Sequence, residues 1–205
     1  SYAGKLSQLH QHNTHVMRWG APVEQWPGIS IGCDNFSGGQ SVTRHLLSHD
    51  YQSFAFIGDI GDKAPEFQSR YEGFLSALDK QHNHQQYDAI SSEEAGIEAA
   101  KYLLATTSAL PDAIVCAADI IAVGVLQQLK EAGIRVPEDV AVVGFDNIQL
   151  AAFTTPGLTT VQQNTAQAGE KLVENLLLAI DGQPTDDHLL PTNLVVRQSC
   201  GCDIK

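Results

Sequence analysis

An α/β fold, with parallel sheets flanked by helices, is the expectation for this chain of 205 residues. Two observations predict it. Short, continuous apolar runs recur as THVMRW, ISIGC, SFAFIG, AIVCAA and VAVVGF, the pattern of strands buried on both faces. Longer segments between or after them carry apolar residues at helical spacing, and such alternation specifies a helix-covered parallel sheet. Composition agrees: 43% hydrophobic and 18% charged residues are enough for one large domain or two modest lobes.

The helical segments follow in order. Residues 41–49 place Val42, Leu46 and Leu47 on one face, and residues 66–80 do the same with Phe67, Tyr71, Phe74, Leu75 and Leu78. Residues 93–106 are alanine-rich, with Ile97, Tyr102, Leu103 and Leu104. The next helix opens at Asp119, a good N-cap residue, and stops before Gly133, a good residue just past a helix end. Residues 165–181 show the stripe Leu172, Val173, Leu176, Leu177 and Ile180, closed by Gly182. Punctuation falls at 21–28, 58–65 and 155–157, none of it a long flexible linker.

Charge and motifs exclude several classes. A net charge of −12 repels phosphate backbones, so the chain as given does not grip nucleic acid by itself. No apolar run is long enough to cross a bilayer, and the opening SYAGKLSQLHQHN lacks a signal-peptide core. The four cysteines, Cys33, Cys116, Cys200 and Cys202, read as thiols of a reducing, cytosolic protein; Cys200 and Cys202 form C-x-C, not the C-x-x-C of redox or zinc sites. P-loop, dinucleotide-binding and nucleophile-elbow patterns are missing. His10, His12, His15, His82 and His84 lack the acid-flanked spacing of a metal site and read as surface imidazoles on a helix end and a turn. No metal, cofactor or catalytic residue is therefore expected. Trp26 reads as a packing residue, whereas Trp19, ending a strand-like run, is the better pocket candidate.

Two residues invite a ligand. In VAVVGFDN, Val140 to Phe145 form the strand, and Asp146 and Asn147 emerge at its carboxyl edge, where open α/β sheets bind ligands. Capping of the next turn is the alternative reading of Asp146. Arg70 sits at the flank of its helix's buried stripe and can reach the same crevice. Guanidinium and carboxylate then either bind hydroxyls or an anion together, or simply pair with each other.

Several segments together carry a family resemblance: QSRYEGFLSAL, AGIEAAKYLL, the long block from DAIVCAADI to VPEDVAVVGFDNIQLAAFTTPGLTTVQQ, and LVVRQSCG. The chain resembles the effector-binding core of the lactose-repressor/galactose-repressor (LacI/GalR) family of bacterial transcription regulators. The resemblance implies a two-lobed, periplasmic-binding-protein-like fold whose first lobe is incomplete here. Residues 1–58 with 161–187 would form that lobe, and 59–160 with 188–205 the other. It implies a small effector, a sugar or sugar acid, in the cleft between lobes, contacted by Arg70 and Asp146. Trp19, Ser91, Asp119 and Gln163 are softer carry-overs. Ser91 stands near where relatives place a stacking aromatic, and Asp119 follows Ala117 and Ala118 where relatives read A-N-D. The stretch MRWGAPVEQWPGISIGCDN is most similar to the gluconate-repressor branch. Ala152, Phe153 and Thr154 resemble the subunit contact of a homodimer. Operator DNA would be bound only by a helix-turn-helix headpiece lying outside this chain. A cytoplasmic, non-enzymatic regulator is the function this implies; the alternative is a periplasmic sugar-binding protein serving a transporter.

Overall fold

The computed structural model describes residues 14–21, 28–61 and 64–202. His10, His12 and Trp26 lie outside the described residues. The chain divides into two compact units, Ser1–Asp34 with Gln163–Thr192 and Asn35–Gln162 with Asn193–Lys205.

The larger unit is built on a six-stranded sheet. Its strands are β3 (Ser53–Ile57), β4 (Asn83–Tyr87), β5 (Ala113–Cys116), β6 (Ala141–Asp146), β7 (Thr159–Gln162) and β9 (Asn193–Val195). The order is β4-β3-β5-β6-β7-β9, parallel throughout except for β9, which runs antiparallel to β7. Four helices accompany it: α1 (Asn35–Leu47), α2 (Pro65–Ala77), α3 (Glu93–Thr106) and α4 (Asp119–Glu131). The central strands are apolar on both faces because helices cover both; Phe54, Phe56, Ile114, Val142, Val143 and Phe145 are all buried.

Helix α1 packs on α2, and α3 on α4. Each crossing is close because glycine stands at the contact. A Cβ at Gly39 would collide with the Arg70 carbonyl, and one at Gly73 with the Phe36 carbonyl. Gly96 and Gly124 play the same reciprocal part between α3 and α4. The first pair brings the backbone of Arg70 against α1.

The smaller unit has a three-stranded parallel sheet, β1 (Met17–Trp19), β2 (Ile29–Cys33) and β8 (His188–Leu190), in the order β1-β2-β8. Helix α5 (Thr165–Ile180) packs on β1 and β2. Its small core is Ile31, Ala168 and Leu190. The apolar stripe expected to bury α5 is not fully covered: Val173, Leu177 and Ile180 are each more than half exposed. Among the described residues no helix is long and apolar enough to cross a membrane.

The structure departs from expectation in three places. The first crossing between units comes at Asp34 rather than after Gly58, so α1 and β3 join the larger unit. The chain passes from β2 to α1 through Asp34 alone, without the glycine–proline punctuation that marks 58–65. The return crossing falls after Thr192 rather than 187, because β8 pairs with β2. Strand β4, NHQQY, shows no apolar run because three of its five residues are exposed polar side chains at a sheet edge. His84 therefore sits in a strand. His82 packs edge-on to Phe54 and pairs with Asp79 at 2.8 Å, its side chain only 7% exposed, so it is not a surface imidazole.

The α1–α2 contact has no room for a side chain at Gly73. Gly73→Ala is expected to lower unfolding free energy by about 1–3 kcal/mol, the usual range for overpacking, as measured by urea denaturation. An unchanged midpoint would show that α2 shifts freely.

Candidate functional site

Arg70 is the centre of a polar cluster at the carboxyl ends of β5 and β6 and the start of α1. Only 5% of the residue is exposed. Its Nε donates to Asn35 Oδ1 at 2.8 Å, and its Nη1 donates to the Ala117 carbonyl at 2.5 Å. The same Nη1 lies 3.4 Å from Asp146 Oδ1. The guanidinium also stacks on Phe145, 3.8 Å from the ring centroid, with Phe67 at 5.3 Å. A desolvated cation is tolerable only with such acceptors and an aromatic face around it. Asn35, the first residue of α1, lies ahead of the apolar spacing that marks this helix from residue 41. No spacing rule could have joined it to an arginine in the next helix.

Asp146 keeps 28% of its side chain exposed while pairing with this buried cation. Its backbone is strained: Asp146 has φ +117° and Asn147 φ +53°, both outside the ordinary region for L residues. Each such residue costs about 1–3 kcal/mol and persists only where its surroundings over-determine it. Those surroundings are visible. Arg197 Nη2 donates to Asn147 Oδ1 at 2.8 Å and Nη1 to the Leu158 carbonyl at 2.6 Å. Ile148 N–H donates to Asp119 Oδ2 at 2.9 Å. Asp146 thus ends a strand, as expected, and is not merely the cap of a relaxed turn.

Asp119 differs from its expected place. It is fully buried, and Thr160 Oγ1 donates to its Oδ1 at 2.5 Å. With Ile148 on Oδ2, both oxygens are engaged inside the unit. Gly144 makes room for the carboxylate, since a Cβ there would strike Asp119 Oδ1. The group belongs to the frame that fixes the β6 tip, not to a ligand-facing surface. Burial pushes its carboxyl up to about 7, with the nearby Asp146 charge acting in the same direction; Thr160, Ile148 and Arg197 pull the other way.

The other candidates are scattered. Ser91 is an exposed bend residue beside Ser92, the N-cap of α3. A concavity between β4 and α3 is lined by Asp59, Asp88, Ile90, Glu98 and Tyr102; neither Arg70 nor Asp146 contributes to it. Trp19, 41% exposed at the end of β1, and Gln163 both belong to the smaller unit. Within the larger unit the structure therefore brings Arg70 and Asp146 together and adds Asn35, Ala117 and Phe145. Of the subunit-contact candidates, Ala152 is exposed and Phe153 is 75% exposed, so Phe153 does not pack within its own unit. Thr154 Oγ1 closes the loop by donating to the Ala151 and Pro156 carbonyls at 3.1 and 2.7 Å.

The sequence and fold of this chain have known counterparts. The periplasmic binding protein-like domain family matches residues 43–200, and the chain belongs to that family. An HTH-type transcriptional repressor PurR from Pasteurella multocida is 31% identical over 190 residues, which cover 90% of this chain and 56% of that protein. The HTH-type transcriptional repressor MelR from Bacillus subtilis is 35% identical over 193 residues, covering 86% and 54%. A LacI family transcriptional regulator from Enterococcus faecium, solved with bound ribose, aligns with a TM-score of 0.86 at 25% identity, over 97% of this chain and 75% of that one. The chain spans about half the length of the curated relatives it matches. These relatives are of the kind that the LacI/GalR resemblance implied.

Asp119 gives the larger unit a pH dependence of definite sign. Its folded carboxyl binds a proton up to about pH 7, whereas an unfolded aspartate releases one near pH 3.9. Between those values the folded state holds more protons, so this group makes stability fall as pH rises, by at most about 1.4 kcal/mol per pH unit. Asp119→Asn keeps an acceptor for Ile148 and offers an amide donor to Thr160. The variant should lose that slope in urea unfolding between about pH 4 and pH 7. Parallel profiles for the two proteins would refute it.

Proposed function

We propose that this chain is the effector-sensing and dimerisation core of a ligand-responsive bacterial transcription regulator. The observation that carries the reading is the Arg70–Asp146 pair: a buried guanidinium and a half-buried, backbone-strained carboxylate, 3.4 Å apart at the carboxyl edge of the parallel sheet. Hydroxyls of a sugar or sugar acid are the natural ligand. The carboxylate accepts from them, and the guanidinium orients the carboxylate while favouring any anionic substituent. The ribose bound by the Enterococcus faecium regulator and the repressor names of the relatives support this class. They favour it over a transport receptor and over an enzyme. Trp19, Ser91 and Gln163 remain proposed ligand contacts, and Asp119 becomes a positioning residue for Asp146.

The intact protein then acts as a cytoplasmic homodimer, with operator DNA held by a headpiece outside this chain. The effector shifts the equilibrium between two arrangements through its unequal affinity for them. The exposed Phe153, with Ala152 and Thr154, forms part of the subunit contact.

Two measurements test this. A thermal-shift screen of ribose, gluconate and purines should find a stabilising ligand, since binding to the folded state raises its stability by mass action. Calorimetry with that ligand should show at least about tenfold weaker binding in Asp146→Ala and in Arg70→Ala, about 1.4 kcal/mol or more. The two variants should differ in stability. Arg70→Ala strips a partner from Asn35, Ala117 and Asp146 and should cost about 3–5 kcal/mol, as when a buried pair is broken. Asp146→Ala leaves Arg70 its bonds to Asn35 and Ala117 and its packing on Phe145 and Phe67, and should cost less. Unchanged affinity in both would remove the site assignment. For the assembly, Phe153→Asp in the full-length protein should shift sedimentation at micromolar concentration from dimer to monomer. A dimer that ignores the substitution places the subunit contact elsewhere.

A further inference from the structure

A second constellation of chemistry-bearing side chains lies in the larger unit, away from the arginine cluster. His45 stands in the last turn of α1, and His49 follows four residues later in the turn that closes the helix. The far end of the chain returns to this point. After β9, a short 3₁₀ turn, Gln198–Cys200, leads into Gly201 and Cys202. His45 Nε2 lies 3.3 Å from Cys200 Sγ and 3.6 Å from Cys202 Sγ. His49 Nε2 lies 3.3 Å from Cys202 Sγ. One ligand atom from each of the four residues falls within 4.8 Å of every other. Cys200 is buried and the other three are half-buried. The sequence is silent on this because about 150 residues separate the histidines from the cysteines. H-x-x-x-H and C-x-C are each weak signals alone.

Three of the six separations match the edges of a tetrahedral site, and the rest stay within 4.8 Å. Zinc takes sulfur at about 2.3 Å and imidazole nitrogen at about 2.0–2.1 Å in a tetrahedron, so neighbouring ligand atoms stand about 3.3–3.8 Å apart. The three sulfur–nitrogen contacts fall on or near those edges. The supporting residues fit as well. The imidazoles of His45 and His49 meet edge-on, 5.1 Å apart at 76°, so neither ring covers the other. Tyr51 stacks on His49 at 5.7 Å and 19°, and its hydroxyl donates to the Cys200 carbonyl at 3.2 Å. It thereby orients one ligand ring and the backbone carrying another ligand, as outer residues of metal sites do. Gly201 has φ +91°, and a Cβ there would lie 2.7 Å from the Tyr51 hydroxyl. Only glycine turns the chain so tightly that both flanking sulfurs face the histidines. No disulfide joins the four cysteines.

We propose that His45, His49, Cys200 and Cys202 form a closed tetrahedral site for a divalent, thiolate-tolerant cation of the zinc class. Four protein ligands leave no open position, so the site is structural rather than catalytic. It fastens the chain segment after β9 to the carboxyl end of α1, the helix whose first residue, Asn35, holds Arg70. Plain thiol–imidazole hydrogen bonding is the competing account of the same contacts.

Zn(II) and Co(II) added to the reduced, chelator-treated full chain decide between them. One Zn(II) per chain should bind and raise the thermal midpoint. Co(II) should give tetrahedral ligand-field bands together with a sulfur-to-cobalt charge-transfer band. Cys202→Ser and His49→Ala, both at half-buried positions, should each weaken Zn(II) binding at least about 100-fold, the upper range for disturbing even an outer residue. His84→Ala, on an exposed residue of β4, should leave it unchanged. Absence of stoichiometric Zn(II), a Co(II) spectrum without the sulfur band, or undiminished affinity in folded Cys202→Ser and His49→Ala would each overturn the site. The wild-type Co(II) spectrum decides even if a variant fails to fold.

Discussion

Burying a guanidinium obliges a protein to surround it with acceptors, and in this chain that obligation organises the larger unit. Arg70 takes Asn35 from the start of α1, a carbonyl from the residue just past β5, and Asp146 from the tip of β6, with the Phe145 ring beneath it. Two helices and two strands are pinned at one point. The approach depends on Gly39 and Gly73, whose missing side chains let α1 and α2 touch backbone to backbone. Because the cation is nearly dry, each lost partner leaves a buried donor unsatisfied, and the arrangement tolerates little drift.

The tip of β6 is held from the opposite side by a second buried ionisable group. Asp119 anchors Ile148 and Thr160, while Arg197 reaches from beyond β9 to Asn147. These bonds sustain two consecutive left-handed residues that isolated chains avoid. Strain of this kind, at a half-exposed carboxylate, is what distinguishes Asp146 from its neighbour Asp119. The two acids lie close enough for Asp146 to raise the other's proton affinity. One is buried as framework; the other is presented at the sheet edge.

Helix α1 is thus constrained at its start by Asn35 and at its end by the histidine–cysteine constellation. The proposed cation would make the second constraint independent of hydrophobic burial. Among the described residues beyond β9, Ser199 and Cys200 are the buried ones. Ser199 reinforces the segment by donating to the Val142 carbonyl at 2.5 Å and accepting from Thr159 N–H at 2.8 Å.

Much of the fold was legible from local pattern. The apolar runs ISIGC, SFAFIG, AIVCAA and VAVVGF became β2, β3, β5 and β6, and residues 93–106 form α3 as expected. Their signal is local because a strand buried on both faces or a helix with one apolar stripe must show it in consecutive residues. Strand β4 escaped because an edge strand buries little, and the crossing at Asp34 because no special residue is needed where a strand runs straight into a helix. The sequence alone determined that Arg70 lies at the flank of its helix and Asp146 at the end of its strand. Tertiary structure alone decided that the two meet over Phe145, that Asp119 turns inward, and that Cys200 and Cys202 close on His45 and His49. Each of these pairings joins distant parts of the chain, and residue spacing carries no information about which separated segments pack together.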